Sequence, residues 1–276
     1  FDLPVAATDG GFTIQNDLGS SLETGSNGSD SNISLNRNYW GDYISDSGAL
    51  FGAPFHWCKS DWKTVGGVLL ITAALYKNDT QIMKWVRDNR TSASNSIASF
   101  ARAFGDERVL LPLAVLYVYG CQTDEDRARK TALLSLESLA QSGILINCIK
   151  FAGNRSRPYS GASFDTWGGP SFNTDDSKRS FPSGHTATAF SVATIVADEY
   201  QDHPAIPVIS YSIATLTGLS RIHDNAHWAS DVFFGAAIGY FTSKTLLARH
   251  PDNEKTWTVL PKTDGTNVGL AVAYHF

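Results

Sequence analysis

The chain has 276 residues, 42% hydrophobic and 18% charged. That is enough apolar material for a sizeable core, and it excludes wholesale disorder, a collagen-like rod and a disulfide scaffold. A net charge of −5 argues against a broad basic face, so nucleic acid is not expected as a partner.

Residues 1–40 are polar, centred on Gly25-Ser26-Asn27-Gly28, and read as an irregular arm. Helical patterns follow. Asp61 can cap a helix running to about Tyr76, with short helices near 80–89 and 95–104. Pro112 opens or bends a helix that ends near Gly120. Thr123 or Asp124 caps a long amphipathic run to about Phe151. Residues 152–182 are rich in glycine and proline and carry Tyr159, Phe164, Trp167, Phe172 and Phe181. A loop of that length inside a compact domain is usually functional. Helices resume at about 184–199, 206–219 and 226–248. The tail alternates apolar and polar residues around Asp264-Gly265, a hairpin signal. The expected organisation is an arm (1–40), an all-α helical bundle (41–250) and a small C-terminal β-hairpin (251–276).

The longest near-continuous apolar stretches, Val65–Tyr76, Val109–Tyr119 and Val232–Phe241, fall short of the roughly 18–20 residues that span a bilayer. They point to a soluble protein. The chain starts at Phe1 and reads as an exported bacterial protein, periplasmic or secreted, whose signal has been removed. Of five sequons (Asn27, Asn32, Asn78, Asn89 and Asn154), Asn154 sits among charged residues where a glycan would obstruct any site. Cys121 and Cys148 read as opposite ends of one helix, too far apart to bond. A Cys58–Cys121 bond and three buried thiols both remain open.

Three short segments carry chemistry. Lys150 and Arg157-Pro158 are separated by six residues. Pro182-Ser183-Gly184-His185 opens a helix. Ser220-Arg221 precedes His227 and Asp231. Lys150, Arg157 and Arg221 are cations at helix edges in an acidic chain, with Arg155, Lys178 and Arg179 nearby. Arginine forks match phosphate oxygens, and lysine adds a point charge. The free N–H groups at Ser183-Gly184 form an anion site, which Gly184 keeps open. His227 and Asp231 are four apart, on one face of a helix capped by Asp224-Asn225. The carboxylate can hold one ring nitrogen and leave the other free as a nucleophile. Arg221 and His227 cannot share a face of one unbroken helix, so a break is expected at 222–225. His185 is a candidate acid for a leaving group. His223 reads as a solvated loop residue, Ser220 as support for the pocket, and Trp228 as packing beside it.

Together the segments resemble the tripartite signature of the type-2 phosphatidic acid phosphatase superfamily: Lys-x6-Arg-Pro, Pro-Ser-Gly-His, then Ser-Arg-x5-His-x3-Asp. That superfamily includes lipid phosphatases, bacterial acid phosphatases and vanadium haloperoxidases. Every signature position is matched between Lys150 and Asp231. The resemblance implies a helical bundle and phosphomonoester hydrolysis without metal or other cofactor. It casts His227 as nucleophile forming a phosphohistidine, Asp231 as its orienting group and His185 as acid then base. Lys150, Arg157, Arg221, Ser183 and Gly184 would bind the phosphoryl group. The expected partner is a phosphorylated lipid, phosphatidate-like or isoprenyl, with a peripheral membrane contact through the loop aromatics left open. The alternatives are a non-specific acid phosphatase on small monoesters and a vanadate-dependent haloperoxidase.

Overall fold

The computed structural model describes residues 37–172, 174–251, 257–263 and 268–274. The expected arm lies almost wholly outside them. The described residues form eight α-helices: α1 (Arg37–Gly52), α2 (Lys59–Asp88), α3 (Ser92–Arg102), α4 (Leu110–Thr123), α5 (Asp126–Gly153), α6 (Gly184–Glu199), α7 (Ala205–His223) and α8 (Ala229–Arg249). The architecture is all-α. Two strands, β1 (Trp257–Thr263) and β2 (Val268–Tyr274), run antiparallel with Trp257 opposite Tyr274. Their side chains and the turn 264–267 lie outside the described residues, and the hairpin expectation goes no further than that.

Several boundaries differ from expectation for identifiable reasons. α2 is one 30-residue helix rather than two with a gap near residue 78. The polar stretch that suggests a break holds Asp79, which is fully buried and faces inward. Asp124 does not cap α5. It takes a left-handed φ of 58° and ends α4, so Glu125 becomes the N-cap of α5. Cys121 and Cys148 therefore sit on different helices, and all three cysteines are free and exposed. α7 continues to His223 and carries Arg221 inside its last turn. The chain break falls at 224–228, with Asn225 at φ 55°.

α6 packs against α5, α7 and α8. Its buried face is made of small side chains, among them Thr186, Ala187, Ser191, Ala193 and Thr194. Hydroxyls cross the interfaces: Ser138 Oγ lies 2.7 Å from Ser243 Oγ, Ser243 Oγ donates to the Ser191 carbonyl at 2.9 Å, and Ser191 Oγ donates to Ser142 Oγ at 3.1 Å. Large apolar side chains lie outside instead. Leu70 is 74% exposed, Leu111 71% and Val208 67%, accompanied by Leu69, Val115 and Ile209. A water-soluble bundle puts its leucines inside. This one buries Leu133, Leu134, Leu246 and Leu247 but also many small and hydroxyl residues, and it turns other large apolar side chains outward, as helices packed in lipid do.

That pattern was not expected of a soluble bundle. α5 and α7 are each long and apolar enough to cross a membrane, and α2 extends about 45 Å at ~1.5 Å per residue. Counting uninterrupted apolar runs misses them, because the serines, threonines and glycines that let the helices approach also interrupt the runs.

Candidate active site

The C-terminal ends of α5 and α7 meet the N-terminal ends of α6 and α8. Lys150 lies in the last turn of α5 and Arg221 in that of α7. Ser183 is the N-cap of α6, so Gly184 and His185 open that helix. His227 precedes Trp228, the N-cap of α8, and Asp231 stands in the first turn. His227 is thus outside the helix rather than in its first turn. The Ser183 N–H donates to the Asp231 carbonyl at 3.0 Å, tying α6 to α8. The charges of Lys150 and Arg157 bear on His227, and those of Arg221, Arg157 and Lys150 on His185. The residues singled out from the sequence converge.

Asn154 turns the chain out of α5 at φ 49°. Its buried amide donates to the carbonyls of Phe151, Gly169 and Ser171 at 3.1, 2.9 and 3.0 Å, so it pins the long loop and cannot display a glycan. The loop aromatics mostly pack. Phe164 meets Tyr76, and Phe181 lies between Trp167 and Phe234. Phe172 is exposed, at 88%.

A cavity of about 230 Å³ lies between α5 and α6, with Lys150, Arg157, Arg179, Asn147 and Gly184 in its wall. His185, Arg221, His227 and Ser183 stand outside that wall. The cations are held by neighbours. Arg157 Nη2 donates to Asp176 at 2.7 Å, yet its Nε is buried without a partner. Arg221 bonds Asp224 at 2.5 Å, and Asp224 also pairs with Arg102 at 2.8 Å. Ser220 Oγ accepts from Arg221 Nε at 3.1 Å, the supporting contact expected of it. Lys150 donates to the Arg179 carbonyl. Ser183 Oγ caps α6 by accepting from the Thr186 backbone N–H at 3.4 Å, and it also accepts from the Thr186 hydroxyl at 2.8 Å. His223 is not solvated: its Nε2 lies 3.2 Å from Ser94 Oγ.

The hydrogen bond on the His227 ring differs from expectation. Nδ1 lies 2.7 Å from the Ser180 carbonyl and 3.7 Å from Asp231 Oδ2. A carbonyl only accepts, so in the neutral ring Nδ1 carries the proton and Nε2 the lone pair. Asp231 instead accepts from Ser180 Oγ at 2.5 Å, the Trp228 N–H at 2.9 Å and Arg155 Nη1 at 2.5 Å. It acts on the imidazole through Ser180 and through its charge. Sequence reasoning missed Ser180 and Asp79. The available signal was an aspartate in the interior of α2, away from Asp61 and Asp88 at its ends.

Burial pushes the His227 imidazole down to about 3, so it is a free base at neutral pH. In the unfolded chain the ring takes up a proton near 6.5. Between those values the unfolded state binds the extra proton, and stability falls as pH drops from 6.5 towards 3. The thermal midpoint is expected to fall over that window more steeply in the wild type than in His227→Ala. Equal slopes would contradict the buried neutral imidazole.

Residues 131–255 match the family model of the PAP2 superfamily. The lipid A 1-phosphatase of Porphyromonas gingivalis is 41% identical over 142 residues, covering 49% of this chain and 28% of that protein. The lipid A 4'-phosphatase of Helicobacter pylori is 34% identical over 87 residues, 32% of this chain and 42% of that one. This chain therefore spans well under two thirds of both relatives. The crystal structure of Aquifex aeolicus LpxE aligns at 23% identity with a TM-score of 0.49, covering 62% of this chain and 94% of that one.

Proposed function

We propose that this chain, whose residues 131–255 match the family model of the PAP2 superfamily, is a lipid phosphate phosphatase of a bacterial envelope membrane, hydrolysing a phosphomonoester through a phosphohistidine. The observation that carries this is the convergence of Lys150, Arg157, Ser183-Gly184-His185, Arg221, His227 and Asp231 at one end of four packed helices. The apolar outer faces of α2, α4 and α7 support a bilayer setting, with α5 and α7 spanning it. That setting replaces a soluble periplasmic one.

In this mechanism His227 Nε2 attacks phosphorus in line. The N–P bond forms as the P–O bond to the leaving alcohol breaks. His185 gives its proton to the departing oxygen, then takes one from the water that cleaves the N–P bond and frees phosphate. Lys150, Arg157 and Arg221 meet the charge on the phosphoryl oxygens, which is the larger part of catalysing such a transfer. The Gly184 N–H at the start of α6 adds a backbone donor. Arg179 and Asn147 make the cavity wall polar next to these cations. That suits a phosphate carried on a sugar or glycerol, and the similarity to the Porphyromonas protein makes a lipid A-type phosphate the first candidate.

The test is phosphate release by detergent-solubilised protein with EDTA present. The substrates are lipid A, phosphatidate, an isoprenyl phosphate and p-nitrophenyl phosphate, each with and without vanadate. One or more lipids are expected to exceed p-nitrophenyl phosphate in kcat/KM by at least about tenfold, the discrimination that a few substrate contacts supply, and vanadate is expected to inhibit. Equal turnover of all would indicate a non-specific phosphatase. Turnover of none would refute the assignment.

A further inference from the structure

Resting on the phosphatase reading above, we propose that Asp79 and Arg155 are positioning residues for His227. They belong to a fixed trio, Asp79–Arg155–Asp231, which holds the imidazole and supplies the negative charge that its phosphorylated form requires. Asp79 comes from α2, far in sequence from the three signature segments, and Arg155 lies between two signature residues without being one.

All three side chains are fully buried. Arg155 Nη2 donates to Asp79 Oδ2 at 2.8 Å, and Nη1 to Asp231 Oδ1 at 2.5 Å. Nη1 also donates to Ser230 Oγ at 2.8 Å, and that hydroxyl donates to Asp79 Oδ2 at 2.5 Å. The Ser230 N–H reaches Asp79 Oδ1 at 3.0 Å. The remaining guanidinium donors go to the Phe164 carbonyl, Nε at 2.9 Å and Nη2 at 2.7 Å. Rings of Tyr76, Trp167 and Trp228 surround the guanidinium at 4.6, 5.3 and 5.5 Å. The fork is fully committed and cannot swing into the phosphate cavity, so Arg155 is not a fourth phosphate ligand.

The connections run on to the nucleophile. Asp231 Oδ2 accepts from Ser180 Oγ, and the Ser180 carbonyl accepts from His227 Nδ1. Asp79 thus fixes Arg155, Arg155 fixes Asp231, and Asp231 fixes the residue that orients the ring. Charge counts as well as geometry. Burial pushes the Asp79 carboxyl up while the bonds from Ser230 and Arg155 hold it down, so the trio offers at most one net negative charge in a dry site. When Nε2 bonds to phosphorus, the ring keeps its Nδ1 proton and becomes cationic. The trio's excess charge is the buried counter-ion for that state. Buried ion pairs are seldom the cheapest way to stabilise a fold, so a fully buried triad beside a nucleophile calls for a functional account.

The experiment compares Asp79→Asn with the wild type in steady state and in acid-quenched phosphoenzyme trapping, using p-nitrophenyl phosphate and phosphatidate in mixed micelles. Rates are scaled to folded protein. The expected result is a fall in kcat of about 10- to 100-fold, typical when an outer support of a reactive group is lost, with KM little changed and less phosphoenzyme trapped. A purely structural role would lower the thermal midpoint and leave kcat per folded molecule at the wild-type value, which would overturn the proposal. Should Asp79→Asn not fold, Ser230→Ala removes only the hydroxyl that joins Asp79 to Arg155. Its kcat is expected to fall about tenfold, and wild-type kcat there would equally overturn the proposal. A wild-type protein that hydrolyses none of the substrates sinks the phosphatase reading itself. Turnover by the wild type with an unimpaired Asp79→Asn sinks this inference alone.

Discussion

Replacing His227 with alanine is expected to reduce kcat by on the order of 10⁶-fold, the scale seen when a covalent nucleophile is removed, while the bundle stays folded. The ring's one side-chain hydrogen bond goes to the Ser180 carbonyl. Its backbone N–H donates to the Arg221 carbonyl at 3.2 Å, a bond that alanine keeps. The substitution also relieves the cost of burying an imidazole held as free base. Lys150, Arg157 and Arg221 remain, so the variant should still bind vanadate or phosphate and yet form no acid-labile phosphoenzyme. Circular dichroism, anion binding and turnover on one preparation separate these effects. Near-normal turnover by the folded variant would remove His227 from the nucleophile's place.

The site was more legible in the sequence than the setting that holds it. Phosphoryl chemistry needs several cations, an anion-binding helix start and a nucleophile with a partner. Those demands leave a pattern of residue types that survives without coordinates. The pattern does not reveal how the partner acts. His-x3-Asp suggests a direct bond on one helix face, whereas His227 lies before the helix and Asp231 reaches it through Ser180. Nor does local sequence reveal Asp79, because its role exists only once α2 lies beside Arg155 and Ser230. In periodicity alone an inward aspartate looks like a helix break.

The outward apolar faces were illegible for a related reason. Helices that meet through Gly235, Gly239, Ser138 and Ser243 trade long apolar runs for close contact. Their apolar character appears only when exposed and buried faces are separated. Leu70, Leu111 and Val208 then point away from the bundle, although none belongs to an unbroken apolar stretch of spanning length. Averaged over 18 residues, α5 and α7 are nonetheless apolar enough to cross a membrane by length and composition. The same packing explains how the site is held: short side chains bring α6 and α8 close enough for Ser183 to bond directly to the backbone of Asp231.

Gly239→Val should therefore cost both stability and activity. In a helix interior, replacing glycine normally gains up to about 1 kcal/mol of propensity. At Gly66 on α2 nothing lies within 4 Å of an added Cβ, and Gly66→Ala is expected to raise the thermal midpoint slightly. At Gly239 a Cβ would fall 2.3 Å from the Ala187 carbonyl oxygen and 3.0 Å from the Ser191 nitrogen. Both are backbone atoms of α6, so no side chain can swing aside and the helices must separate. Overpacking of this kind costs roughly 1–3 kcal/mol, against which the propensity gain is minor. Separation draws the start of α6 away from α8, lengthening the Ser183–Asp231 bond and moving Gly184 and His185 relative to His227. Turnover per folded molecule should fall together with the midpoint in Gly239→Val and stay near wild type in Gly66→Ala. A Gly239→Val protein as stable and active as its parent would show that α6 and α8 do not approach this closely.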